Sequence, residues 1–194
     1  QIEIHAANQR VRIGLGGWLL DPSTVTATPF FGVDRSQDPT RLAGVYYDAV
    51  TAGDNVEQAL VNAGAALFTE GGAPSHVFMH PTRVAELDRL LENRGRYDKV
   101  QSADAEVGFE AITVHTGGGT VMVMADPWCP TDVAYMLQMD TWKLCSVGPV
   151  PKLLTHDGNR LLRVAIDDAV EVRAGYYANL SCSAPGWNCL IQLA

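Results

Sequence analysis

The sequence predicts an α+β fold. Two segments, 54–68 and 80–95, carry helical periodicity with end signals. The second half instead falls into short apolar or alternating stretches bounded by glycine, proline and aspartate, the pattern of strands. No repeated strand–helix unit runs along the chain, which argues against a barrel or a dinucleotide-binding fold. With 194 residues and 47% hydrophobic content, the chain can bury a real core as one large domain or two small ones.

Residues 1–33 read as irregular strands and loops. IEIHA alternates, and VRIGLGGWLL is broken by Gly14, Gly16 and Gly17. A charged loop follows within FFGVDRSQDPTRLAGVYY (30–47), where Asp34, Arg35, Asp38 and Arg41 lie between apolar flanks. VYYDAV (45–50) is strand-like. DNVEQALVNAGAALF (54–68) predicts a helix with Asp54 as cap and Glu57 completing a box-like signature. Val56, Leu60, Ala63 and Leu67 form its apolar stripe. Gly64 weakens it unless a partner packs close there, and Gly71 and Gly72 end it. SHVFM (75–79) predicts a strand. HPTRVAELDRLLENRG (80–95) predicts a second helix, with Pro81 at its first position, Val84, Leu87, Leu90 and Leu91 packing, and Gly95 as its stop.

EAITVHT (110–116) and TVMVMAD (120–126) flank Gly117–Gly119, a hairpin signal, and AYMLQM (134–139) is strand-like. DTWKLC (140–145) suggests a short helical turn, and HDGN (156–159) a turn. LLRVAI (161–166) and DDAVEVRAGYYANLSC (167–182) read as strands. In the latter, Val170 and Val172 face opposite Glu171 and Arg173, so one face is wet or paired.

The 14 basic and 22 acidic residues give a formal charge of −8. That argues against a dedicated nucleic-acid binder, although not against a protein that merely encloses nucleic acid. Only Lys99, Lys143 and Lys152 are lysines, and the preference for arginine suits fixed, planar ion pairs. No apolar run reaches transmembrane length and no signal peptide opens the sequence, which starts at Gln1 and reads as part of a longer gene product. Cys129, Cys145, Cys182 and Cys189 lack CxxC spacing and are most simply buried thiols. Cys182 and Cys189 lie symmetrically about Pro185-Gly186, in a turn too wide to demand a bond between them.

No catalytic pattern emerges. His76 and His80 straddle a strand and a helix start, where a capping or local hydrogen-bond role for His80 is simpler than metal binding. His115 lies in a strand. His156 and Asp157 are merely adjacent, and Asp167 and Asp168 point to opposite faces. Gly117–Gly119 lacks the Lys-Ser/Thr of a phosphate loop. Met122, Met124, Met136 and Met139 look like core filler. Trp128, Trp142, Tyr176, Tyr177 and Trp187 are candidate anchors of a core or an interface.

Several segments together resemble the major capsid protein of tailed bacteriophages, the Hong Kong 97-like shell fold. They are GVDRSQDPTRLAG (32–44), the helix from Asp54, SHVFMHPTRVAELDRLLENRGRY (75–97), GFEAITVH (108–115) and DGNRLLRVAIDDAVEVRAGYYANLSCSAPG (157–186). The resemblance implies an α+β shell subunit with a mixed axial domain (51–155) and part of a strand-rich peripheral domain (1–50 and 156–194). The family's N-terminal arm, extended loop and spine helix have no counterpart before residue 30, and its asparagine is replaced by His80. No enzyme activity, cofactor or metal is implied. The implied partners are other copies in pentamers and hexamers, with scaffold, portal or decoration proteins, and DNA enclosed without sequence-specific binding. No membrane is involved, and the implied location is the virion, after assembly in the host cytoplasm.

On this reading Asp34, Arg35, Asp38 and Arg41 form a subunit interface in which both arginines pair with carboxylates, at least one on a neighbour. An intrachain network pinning the loop to its own domain is the equal alternative. Three other functions remain: an encapsulin-like compartment, an enzyme with a dispersed site at His76, His115 or His156, and a receptor-binding or tail-associated virion protein.

Overall fold

The computed structural model describes residues 13–27, 30–92, 99–100, 111–149, 151–155, 158–159, 161–163 and 170–194. The expectations for IEIHA, Gly95, His156–Asp157 and Asp167–Asp168 lie outside these residues. In chain order the helices are α1 (Leu15–Trp18), α2 (Pro39–Ala43), α3 (Ala49–Ala52), α4 (Val56–Thr69) and α5 (Pro81–Glu92). The strands are β1 (Val45–Asp48), β2 (His76–Met79), β3 (Lys99–Val100), β4 (Ala111–Thr116), β5 (Gly119–Ala125), β6 (Val133–Leu137), β7 (Trp142–Ser146), β8 (Lys152–Leu153), β9 (Leu162–Arg163), β10 (Val170–Glu171), β11 (Ala174–Gly175), β12 (Ala178–Cys182) and β13 (Cys189–Gln192).

A seven-stranded mixed sheet, ordered β1-β13-β6-β2-β5-β4-β3, organises the larger of two compact units, Gly14–Trp142 with Cys182–Ala194. β1 runs parallel to β13, and β2 parallel to β5. The pairs β13–β6, β6–β2, β5–β4 and β4–β3 are antiparallel. Side chains alternate across the sheet as a period of two requires. Val45, Val77, Met79, Val121, Val123, Ala134, Met136, Cys189 and Ile191 face one core with α4 and α5. Tyr46, Phe78, Tyr135, Leu137 and Leu190 face a smaller cluster with Leu15, Trp18, Leu19 and Trp142. The smaller unit, around Lys143–Ser181, contains short antiparallel pairs, β8 with β11 and β9 with β10.

The helix stripe is as predicted: Val56, Leu60, Ala63 and Leu67 are all buried. Its cap lies one residue later than expected. Asn55 accepts from the Gln58 N–H and Gln58 reaches back to the Asn55 N–H, a reciprocal box. Asp54 instead accepts from the Tyr47 hydroxyl and the Asn62 amide. The expected strand at 45–50 ends at Asp48, whose carboxylate caps α3 through the Thr51 N–H. DTWKLC divides into a 3-10 turn at Met139–Thr141 and the strand β7. The single strand expected over 167–182 is three short pieces among the described residues.

Met136 is fully buried, but Met124 and Met139 are exposed, so not every predicted filler methionine fills the core. Cys129 and Cys189 are buried thiols, Cys182 is half-buried and Cys145 is exposed. All four are free, and a 3-10 turn at Pro185–Trp187 separates Cys182 from Cys189. Burial, with Asp126 and Asp132 nearby, pushes the Cys129 thiol up to about 11.

Candidate subunit-interface site

The charged loop is built from two tight turns and two caps. Phe30 and Val33 exchange backbone hydrogen bonds of 2.8 and 3.1 Å, closing a turn over Phe31 and Gly32. Phe31 takes a positive φ of 51° and Gly32 one of 84°. The Asp34 carboxylate then caps the 3-10 turn Arg35–Gln37, accepting from the Ser36 hydroxyl and N–H and from the Gln37 amide. These bonds hold Asp34 below the ordinary carboxylate value. Asp38 caps α2 by accepting from the Arg41 N–H at 3.1 Å, with Pro39 at the first helical position. Gly44 follows at φ +91°, and a Cβ there would meet Leu19 and the Asn188 carbonyl oxygen.

The two arginines have different environments. Arg35 is only 9% exposed. Its Nη1 donates to the carbonyls of Gly17 and Trp18, both at 3.0 Å, and its Cζ lies 3.8 Å from the centre of the Phe30 ring. Trp18 packs edge-on against Phe30 at 4.9 Å and stacks on Phe31 at 5.8 Å. Burial lowers the Arg35 pKa by disfavouring its charge. The expected carboxylate partner of Arg35 is therefore replaced, among the described residues, by two backbone carbonyls and an aromatic face. Arg41 has an exposed side chain whose Nε lies 3.8 Å from Asp38. Phe31 and Val33, at the start of the same loop, are exposed at 60% and 48%.

The loop packs on the turn that leads into β13, and Asn188 anchors that turn. A Cβ at Gly186 would lie 3.0 Å from the Arg41 Cα, so the turn Pro185–Trp187 packs directly on α2. The next residue, Asn188, is fully buried. Its Oδ1 accepts from the Trp142 indole at 2.7 Å and the Gln138 N–H at 2.9 Å, and its Nδ2 donates to the Thr141 hydroxyl and the Ala184 carbonyl. Sequence reading singled out neither Trp18 nor Asn188. The paired phenylalanines before Arg35 are the one signal that points to an aromatic seat for its guanidinium.

The described histidines, His76, His80 and His115, each make a separate local contact. His80 Nδ1 bonds the Thr82 hydroxyl at 2.8 Å and accepts from the Thr82 N–H, which caps α5 as expected. His76 bonds Ser75 and stacks on Phe78, and His115 bonds Thr120. Among the described residues no group of three His, Cys, Asp or Glu side chains could hold a metal ion, and no helix is long and apolar enough to cross a membrane.

An axial sheet backed by helices, with a strand-rich peripheral region, defines the shell fold of Hong Kong 97-like capsid proteins. A solved structure with this likeness is the holo-SrpI encapsulin complex of Synechococcus elongatus, determined by electron cryomicroscopy. The TM-score is 0.55 at 12% sequence identity, over 76% of this chain and 52% of that one. The chain thus spans about half the length of that protein, and the likeness is one of fold. The model of the SU10 major capsid protein family matches residues 10–155, most of the chain, and the protein belongs to that family. The family is one of structural shell proteins and not of enzymes. No curated protein matches the chain.

Proposed function

We infer that the protein is the subunit of an icosahedral shell that encloses double-stranded DNA. The observation that carries this reading is the match to a major capsid protein family over residues 10–155. Its partners are other copies of itself, arranged as pentamers and hexamers, with scaffold, portal or decoration proteins. Its place is the virion, after assembly in the host cytoplasm. The formal charge of −8 suits a wall that surrounds DNA without gripping it or reading its sequence.

The loop bearing Asp34, Arg35, Asp38 and Arg41 is the proposed contact with a neighbouring subunit. Arg35 shapes it from inside, and Arg41 is its outward charge. A second reading, an encapsulin-like compartment that holds protein cargo, is favoured by the fold likeness to an encapsulin complex.

The test is assembly of the full-length protein, followed by light scattering and electron microscopy. Closed particles that protect DNA from nuclease support the capsid reading. Closed particles that hold protein and no DNA support the compartment. A stable monomer under all assembly conditions, with scaffold supplied, overturns both.

A further inference from the structure

On the face of the seven-stranded sheet turned away from α4 and α5, β2 and β5 bring two aromatic rings beside two thioethers. Parallel pairing sets His76 opposite Met122 and Phe78 opposite Met124, so these four side chains share that face. Val77 and Val123, which alternate with them, are buried in the core on the other face. Met124 is 37% exposed, and His76 and Met122 are half-buried. A methionine within a strand yet open to solvent fills no core.

His76 is oriented from behind. Its ring is stacked on Phe78, with centroids 6.3 Å apart and planes 15° apart. Its Nδ1 lies 2.9 Å from the Ser75 hydroxyl oxygen. That hydroxyl donates its one proton to the Leu137 carbonyl at 3.3 Å and accepts from the Met139 N–H at 3.3 Å. In the neutral ring Nδ1 therefore carries the hydrogen and donates, which leaves the lone pair on Nε2. A hydrogen bond at one ring nitrogen that fixes the other as a donor of electrons is the usual setting of a metal-binding histidine.

We propose that His76 Nε2 and the thioether sulfurs of Met122 and Met124 bind a soft monovalent metal ion of the copper(I) or silver(I) class. The donor set selects the class. Thioether and imidazole favour soft ions, whereas magnesium and calcium demand oxygen ligands. Among the described residues of β2, β4 and β5 no carboxylate shares this face, where the remaining polar side chains are Thr113, His115 and Thr120. The reach is adequate. Neighbouring strands lie about 4.8 Å apart, and an ion bonded at roughly 2 Å to a ligand on each strand spans that gap. Three rotatable bonds let Met124, two residues along β5, swing its sulfur to the same point.

The test adds silver nitrate, a redox-stable probe, to full-length protein as dissociated subunits. A Cys145→Ser background removes the exposed thiol that would compete for silver. Methionine methyl resonances report each position separately. Silver is expected to shift the signals of Met122 and Met124 saturably and to leave that of the fully buried Met136 unmoved. His76→Gln and Met124→Leu are each expected to weaken this binding at least about tenfold at an unchanged melting temperature, the second while keeping the apolar volume of an exposed position. His115→Gln, on β4 opposite Thr120, is expected to leave binding intact. Zinc(II) at the same concentration should leave both signals where they are. Silver that moves neither methionine, or an equal response to zinc, overturns the proposal. So does undiminished binding in His76→Gln or, should that variant unfold, in Met124→Leu.

Discussion

Arg35 is committed to its own chain by two carbonyls and the face of Phe30. Replacing it removes the partner of both carbonyl oxygens and of the ring in a part-buried place. Arg35→Ala is expected to destabilise the subunit by about 2–4 kcal/mol, from charge-assisted hydrogen bonds and a desolvated cation–π contact. Urea unfolding of the dissociated subunit measures it. Arg35→Lys is expected to recover less than half of that loss, because an ammonium is not a planar fork. Unchanged unfolding in both variants would refute the internal role. The Tyr47–Asp54–Asn62 group makes a pH prediction. Its hydrogen bonds, the Tyr47 hydroxyl first, hold Asp54 below its ordinary 3.8, so the stabilisation is present above that value and lost as pH falls through the lowered one. The same bond raises Tyr47 above 10.0, so at the alkaline end it is present below pH 10.0 and lost as pH rises through the raised value. Melting curves from pH 2 to 7 are expected to show a shallower acid limb for Asp54→Asn than for wild type. Parallel limbs would mean that the group does not couple to folding.

Among the elements, α4 shows most clearly what the sequence could and could not reveal. The stripe Val56, Leu60, Ala63 and Leu67 is legible because a 3.6-residue period is written locally. The cap is not. Asp54 and Asn55 are both chemically able to cap, and the choice between them depends on Tyr47, which arrives from β1. Likewise the strand character of β6 is legible, whereas the exposure of Met124 and Met139 depends on what the rest of the fold covers. At the candidate site the four charges are visible in the chain, but the sequence reads Asp34 and Asp38 as ion-pair partners, and their capping roles emerge only from the turns they close. The acceptors of Arg35 are not visible either, because backbone carbonyls carry no residue signature. Gly64 is intermediate: the sequence marks it as tolerable only with a close partner, and that partner is Thr116 on β4. A Cβ at Gly64 would lie 2.6 Å from the Thr116 Cβ and 2.9 Å from its Cγ2. Gly64→Ala, normally favourable in a helix, is therefore expected to cost about 1–3 kcal/mol through overpacking. Adding Thr116→Ala should restore little, because the nearest atom is the Cβ that alanine keeps. Thermal denaturation of the single and double variants checks this, and a stabilised single variant would show that α4 shifts away from β4 without penalty.

For the whole molecule, the question is whether the charged loop serves the fold, the shell or both. Its charges divide accordingly. Asp34 and Asp38 cap local turns, Arg35 anchors the loop, and Arg41 does neither with its side chain. The Arg41 side chain is 78% exposed and its approach to Asp38 is 3.8 Å. A pair this open contributes well under about 1 kcal/mol, so its loss should barely alter the subunit. The cap itself is made by the Arg41 backbone N–H and survives substitution. Arg41→Glu therefore separates the two roles. If the loop meets an acidic group of a neighbour, reversing this charge places like charges together at the contact, and such juxtapositions cost several kcal/mol when repeated across an interface. The expected outcome is a melting temperature within experimental error of wild type and a particle yield reduced at least about tenfold at low salt, partly recovered at high salt through screening. Arg41→Gln, which removes the charge without reversing it, should give an intermediate yield. A lowered melting temperature with normal particles would assign Arg41 to the fold. Unchanged yield and unchanged melting would mean that its charge faces solvent in the shell, and the interface role of the loop would then have to be abandoned.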